Sequence, residues 1–234
     1  MAVNVDNVYQ KVLALSDKEQ RGYITPQEFN LLADKAQLEI FDSYFHDIKT
    51  AYHQPLKNQT VIGDELDMLS EKLQPFFRTT SVAYDSTNDI LTLPAILHKL
   101  ISVSRSGNIQ LAEITSDEIN YIQSNPLTQP TVSRPIFTRS TNSTITILPI
   151  PTTTSENFTV DYYAKPKPPS WEYVVVKGRA MYNGTDSTHF DLHACEEEPL
   201  VMRILQLAGI IIMKPGIVEV AMSDAARTKQ EQNS

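Results

Sequence analysis

The feature that most constrains this fold is the tetrapeptide Thr25-Pro26-Gln27-Glu28 and the stretch behind it. A Thr at the cap, a Pro at the first helical position and a Glu three residues past the cap each suit a helix start. The Thr and Glu side chains satisfy backbone N–H groups that the first turn leaves unpaired, and Pro has no N–H to leave. Neither glycine nor proline follows until Pro55. The spacing predicts a helix from Pro26 to about Tyr52, with Phe29, Leu32, Ala36, Ile40 and Tyr44 along one side. At ~1.5 Å per residue it is about 40 Å long.

Other helices are readable around it. Val5, Val8, Tyr9, Val12 and Leu13 recur at helical spacing, with Asp6 or Asn7 as the cap and Gly22 as the break. A shorter helix, Gly63 to Leu73, carries Leu66, Leu69 and Leu73 and stops before Pro75. Near the C-terminus, Glu196-Glu197-Glu198 places negative charge at the positive end of a helix dipole, and Pro199 is tolerable only in a first turn. Leu200, Ile204, Leu207 and Ile211 form one stripe and Val201, Leu205, Ala208 and Ile212 the next, so this helix is expected to be buried on two faces. A last amphipathic segment at Val218, Ala221, Met222 and Ala225 precedes a polar tail.

Between these helices the texture changes to Thr, Ser, Ile and Pro. Expected strands are Thr80–Tyr84, Ile90–Leu93, His98–Ser104, Ile109–Ile114, Ile136–Arg139, Thr144–Leu148 and Phe158–Tyr163, several of them alternating as half-buried strands do. Thr115 to Glu118 reads as a second capping box before a short helix, and Asn125 to Pro135, with three prolines, as an extended arm. Lys165-Pro166-Lys167-Pro168-Pro169 reads as a stiff linker and Trp171 to Val176 as one more strand or an extended apolar stretch. The expected fold class is α+β: a long N-terminal helical hairpin in residues 1–75, a β-rich lobe with an extended Pro/Thr-rich arm in 76–190, and C-terminal helices in 191–234 packing back on the first bundle.

Composition narrows function. Of the 234 residues, 41% are hydrophobic and 21% charged, which excludes wholesale disorder. The net charge of −8 argues against a surface that wraps nucleic acid. One cysteine permits no intrachain disulfide framework. MAVNVDNVYQKV lacks a basic region followed by an apolar core, so it does not read as a secretory signal. The apolar run Leu200–Met213 is too short for a membrane span.

Two clusters invite a metal reading. DKEQRGYITPQEF puts Asp17, Gly22, Ile24 and Glu28 at the first, sixth, eighth and twelfth positions of a calcium loop. Glu19 stands at the third position and Arg21 at the fifth, where a guanidinium repels the ion. A helix end at Gly22 and the cap at Thr25 account for the same residues. His189, His193 and Cys195 form a soft-ligand trio whose spacing matches no standard zinc pairing, with His46, His53 and His98 remote in sequence. The alternative is a loop before the buried helix. Neither cluster is assigned a metal, and no cofactor is expected.

No nucleophile elbow is present, and seven glycines leave little for a phosphate loop. The carboxylate pairs Asp64/Glu65 and Asp117/Glu118 are expected at helix starts, where the dipole accounts for them. The expectation is a protein without catalytic residues.

Three stretches carry a resemblance: NVYQKVLALSDKEQRGYITPQEFNLLADKAQLEIFDSYF at Asn7–Phe45, LPAILHKLISV at Leu93–Val103, and LHACEEEPLVMRILQLAGIII at Leu192–Ile212. With the helix–β-lobe–helix layout, the chain resembles the head-to-tail connector (adaptor) proteins of short-tailed bacteriophages, of the tail tubular protein A type. The stretches themselves are similar to virion proteins of crAss-like phages. The resemblance implies a structural virion protein, assembled in the host cytoplasm and placed at the portal vertex. It implies a ring of about a dozen copies between the phage portal protein and other tail rings, lining or gating the channel through which double-stranded DNA passes without specific binding. The β-lobe and its arm are expected to offer edges and extended chain to neighbours. Competing readings are a capsid decoration or tail accessory subunit and, less favoured, a tail-associated hydrolase.

Overall fold

A computed structural model describes residues 2–17, 24–53, 59–105, 109–151 and 156–211. They form a mixed α+β chain with the helices α1 (Val5–Asp17), α2 (Pro26–His53), α3 (Gln59–Leu73), α4 (Ile119–Ser124) and α5 (Glu197–Ile211). The chain divides into two compact units, one of residues Met1–Pro75 with Pro166–Ser234 and the other of Phe76–Lys165.

The helical unit is organised by α2. Its start is the expected reciprocal cap: the Glu28 N–H donates to Thr25 Oγ1 at 3.3 Å, and the Thr25 N–H donates to Glu28 Oε2 at 3.0 Å. The α1 cap differs from expectation. Asn4, upstream of Asp6 and Asn7, accepts the Asp6 N–H on its side chain at 2.8 Å, so the helix begins at Val5. Helix α3 also starts earlier, at Gln59, and runs through Gly63. A lone glycine costs a helix interior only ~1 kcal/mol, too little to force a start there. Helix α5 packs on α1 and α2. Leu200, Val201, Ile204, Leu205, Leu207 and Ala208 are all buried, so the described parts of both expected stripes face protein. At about 1.5–3 kcal/mol per buried large aliphatic chain, these residues contribute much of the unit's cohesion. The expected segment from Val218 to Ala225 lies outside the described residues.

The second unit is an eight-stranded sheet with strand order β4-β3-β8-β1-β2-β7-β6-β5. The strands are β1 (Phe77–Asp85), β2 (Ile90–Thr92), β3 (Leu97–Arg105), β4 (Ile109–Gln110), β5 (Ala112–Glu113), β6 (Ile136–Arg139), β7 (Thr144–Leu148) and β8 (Asn157–Ala164). The two terminal strands, β4 and β5, are consecutive in sequence and separated only by Leu111. Gln110 pairs with Ser104 of β3, Ala112 pairs with Ile136 of β6, and the Leu111 N–H donates to the Val103 carbonyl at 2.8 Å. One segment thus joins both ends of the sheet, which is nearly closed into a barrel. The expected single strand Ile109–Ile114 splits at Leu111 because its halves serve different neighbours. Inside lie Leu91, Val103, Phe137, Ile145, Ile147, Phe158 and Val160, all buried. Alternation sets the wall: β8 reads exposed–buried along its length, as the period of two requires.

The second expected capping box fails. Glu118 is itself the cap of α4 and makes no side-chain cap hydrogen bond. Its N–H is taken by the Thr115 carbonyl at 3.1 Å, so the four residues close as a turn.

The lobe expected over 76–190 ends at Lys165, and residues 166–190 cluster with the helices. Two amides on α2 explain why. Gln37, fully buried, donates to the Lys167 carbonyl at 2.7 Å and accepts the Asp191 N–H at 3.0 Å. About two turns earlier on the same face, Asn30 accepts the Trp171 N–H at 2.8 Å and donates to the Trp171 carbonyl. Pro166 and Pro169 are buried. The proline run is therefore docked on the helix, not a free spacer.

Candidate functional site

From Trp171 the chain enters a two-stranded hairpin of β9 (Tyr173–Val176) and β10 (Arg179–Tyr182), paired from Tyr173↔Tyr182 to Val176↔Arg179. Only β9 was expected. The turn is Lys177-Gly178, with φ of 51° and 78°. Two successive positive values are the signature of the two-residue turn whose twist matches flanking strands. The missed signal was two apolar runs separated by two residues, the second a glycine.

The hairpin is anchored at its base and bare beyond it. Trp171 is buried and its Nε1–H donates to Asp6 Oδ1 at 2.9 Å. The indole stacks on Tyr173 at 5.7 Å and Tyr182 at 5.9 Å, and packs on Tyr9 at 4.4 Å. All eight strand residues except Tyr182 are exposed. Val175 keeps 64% of its surface in water, and Val174, Val176 and Met181 are likewise exposed. An isolated two-stranded hairpin is marginal in water, and valines on both of its faces gain nothing from standing free.

The barrel carries a second exposed apolar segment. Around α4 and the arm, Tyr121 is 79% and Leu127 85% exposed, with Val132 also outward. Barrel edges are scarcer than expected, since β4 and β5 are tied through Leu111. Among the described residues, Phe77–Ala83 of β1 have β8 on one side, while β2 reaches only Tyr84 and Asp85.

Among the described residues, those singled out for metal chemistry do not converge. In the calcium-like loop, Glu19, Arg21 and Gly22 lie outside the described residues, and Asp17 is the last residue of α1. The Glu28 carboxylate is engaged by the Thr25 N–H and by its hydroxyl at 2.8 Å, which together hold its pKa below the usual glutamate range. The Ile24 carbonyl accepts the Tyr9 hydroxyl at 3.3 Å. His189 turns to Val5, whose N–H donates to its Nδ1 at 3.3 Å. His193 Nδ1 sits 3.0 Å from Cys195 Sγ and accepts the Cys195 N–H. The loop is instead a short pairing with the N-terminus: Ala2 bridges His193, and the Phe190 N–H donates to the Val3 carbonyl. His46 lies 3.7 Å from Asp47, His98 is exposed on β3, and the side chain of His53, the last residue of α2, is not described. Among the described residues no group of three or more His, Cys, Asp or Glu is arranged to hold a metal ion.

Beside Cys195 lies a buried polar cluster that sequence reasoning missed. Glu196, 6% exposed, pairs with Lys72 of α3 at 2.8 Å. Lys72 also stands 5.9 Å over the ring of Tyr44. Burial foremost, then the Glu196 charge, push the pKa of the Tyr44 hydroxyl far up. Desolvation, then Glu196, push the Cys195 thiol up as well, which makes it a poor nucleophile at neutral pH. The cluster ties α3 to the start of α5. Three further ion pairs do the same for other helices: Lys11 with Glu197 and with Glu198, and Arg203 with Glu39. Asp117 and Glu118 are exposed, and the side chains of Asp64 and Glu65, inside α3, are not described.

No helix among the described residues is long and apolar enough to cross a membrane. No protein-family model matches the chain, and no curated protein is similar to it.

Proposed function

We propose that this chain is a structural virion subunit, a connector-type protein that assembles with copies of itself into a ring between the portal and the tail of a short-tailed bacteriophage and lines or gates the DNA channel. The observation that carries the reading is the β9–β10 hairpin. Its base is locked into the helical core by Trp171, while its valines stand in water. Apolar surface on an anchored projection is stabilised by a protein neighbour, and no described residue of the subunit covers these valines. The described polar clusters support the same reading, because their charges link helices to one another. The net charge of −8 suits a conduit, since acidic walls repel a DNA rod along its length.

Electron microscopy of particles containing the chain, with a copy count by quantitative mass spectrometry, tests the proposal. Density on the portal–tail axis at about a dozen copies is expected. Hundreds of copies on the capsid surface, or density off that axis, would overturn it.

A further inference from the structure

We infer that the hairpin Tyr173–Tyr182 of one copy seats on the segment Thr115–Val132 of a second copy. The inference rests on the ring reading above and names the contact that builds the ring. Both segments are exposed in the single chain, and each presents large apolar side chains: Val174, Val175 and Met181 on the hairpin, Tyr121, Leu127 and Val132 on the other. Their charges are opposite, each segment being flanked by one charge of the other sign, Glu172 before the hairpin and Arg134 after the seat. The hairpin's only charged residues are Lys177 and Arg179, in a chain that is otherwise strongly acidic. The 115–132 segment's only charged residues are Asp117 and Glu118, both exposed.

The exposed Ile101 lacks this complement, since it shares β3 with Lys99. The hairpin and its seat lie in different units of the chain. Two different patches meeting make a head-to-tail contact, which propagates from copy to copy and closes as a ring when the rotation permits. Apolar contact supplies the attraction, and opposite charge fixes partner and register.

The test is light scattering on the full chain across a concentration series, at low and high salt. The proteins are wild type, K177E/R179E, D117K/E118K and the four-residue swap combining both. Wild type is expected to associate. Each charge reversal is expected to raise the concentration at half-association at least about tenfold, and the combined swap to regain most of that loss. V175D and L127D are expected to weaken association at both salt concentrations. All substituted side chains are exposed or half-exposed, so circular dichroism should stay at the wild-type spectrum. If wild type associates and the reversals behave like it, or the swap regains nothing, this contact is wrong and the ring reading stands. If wild type stays monomeric throughout, both fall.

Discussion

Replacing Gln37 by Met tests the account of how the proline run is held. Gln37 lies fully buried in the middle of α2, and its amide serves the backbone at two distant points, Lys167 and Asp191. Met keeps the length and helix propensity and removes both hydrogen bonds. Each bond contributes about 1 kcal/mol, and the carbonyl and N–H left behind are partly reached by water, so the expected loss is about 2 kcal/mol. With an m-value of ~2 kcal/mol/M, the urea midpoint should fall by about 1 M. Trp171 is the sole tryptophan and sits at the end of the clamped run, so its emission reports the helical unit directly. Exchange of the Asp191 amide should accelerate in parallel. The control is Gln27→Met at an exposed position of the same helix, expected within about 0.5 kcal/mol of wild type. A midpoint change for Gln37→Met below about 0.3 M would show that the run is held by proline packing, not by the amide.

Other perturbations probe other elements. Thr25→Ala removes the hydroxyl that accepts the Glu28 N–H and donates to Glu28 Oε2, and keeps the backbone N–H that also donates to that carboxylate. Because the folded-state pKa of Glu28 is lowered, the carboxylate's contribution is fully present above the ordinary glutamate range and lost as pH falls through the folded value. The stability gap between wild type and variant in urea titrations should therefore narrow on acidification without closing, because the Glu28 N–H to Thr25 Oγ1 bond does not depend on the carboxylate's charge. Lys72→Met leaves Glu196 buried without its cation and should cost about 3 kcal/mol by thermal or urea unfolding. Adding Glu196→Gln should recover most of that loss, and no recovery would contradict a direct pairing. Gly178→Ala meets no neighbouring atom but forces a Cβ onto a φ of 78°, so it should destabilise the hairpin by about 1 kcal/mol. Proteolytic cleavage at the tip is the readout, and unchanged cleavage kinetics would refute the turn assignment.

Much of the helical unit was legible because its signals are local. Thr25, Pro26 and Glu28 are all within one turn, and their side chains do in the fold what their chemistry suggests. The stripes of α5 were readable for the same reason. What was not legible depends on distant partners. The Lys-Pro run looked like a spacer because nothing in its own sequence announces that Gln37 and Asn30, about 130 and 140 residues upstream, hold it. Ile109–Ile114 looked like one strand because the split at Leu111 is dictated by β3 and β6. Thr115–Glu118 has the residue types of a capping box, yet a backbone carbonyl competes successfully for the same N–H. The Lys72–Glu196 cluster joins two helices far apart in sequence, and each residue alone reads as an ordinary surface charge. The hairpin was half seen: Lys-Gly is a weaker turn signal than Asn-Gly, so β10 went unread.

The barrel is an insertion. Its first and last long strands lie side by side, with Phe77 opposite Tyr163, so the chain leaves the helical unit and returns to it through adjacent strands. On a ribosome the inserted part is contiguous and can mature as soon as it emerges. The helices around it cannot, because α1 and α2 wait for Trp171 and α5 to complete their core. Residues that follow Lys165 thus close the unit that residues before Phe76 begin, and the exposed hairpin gains its anchor only from that closure.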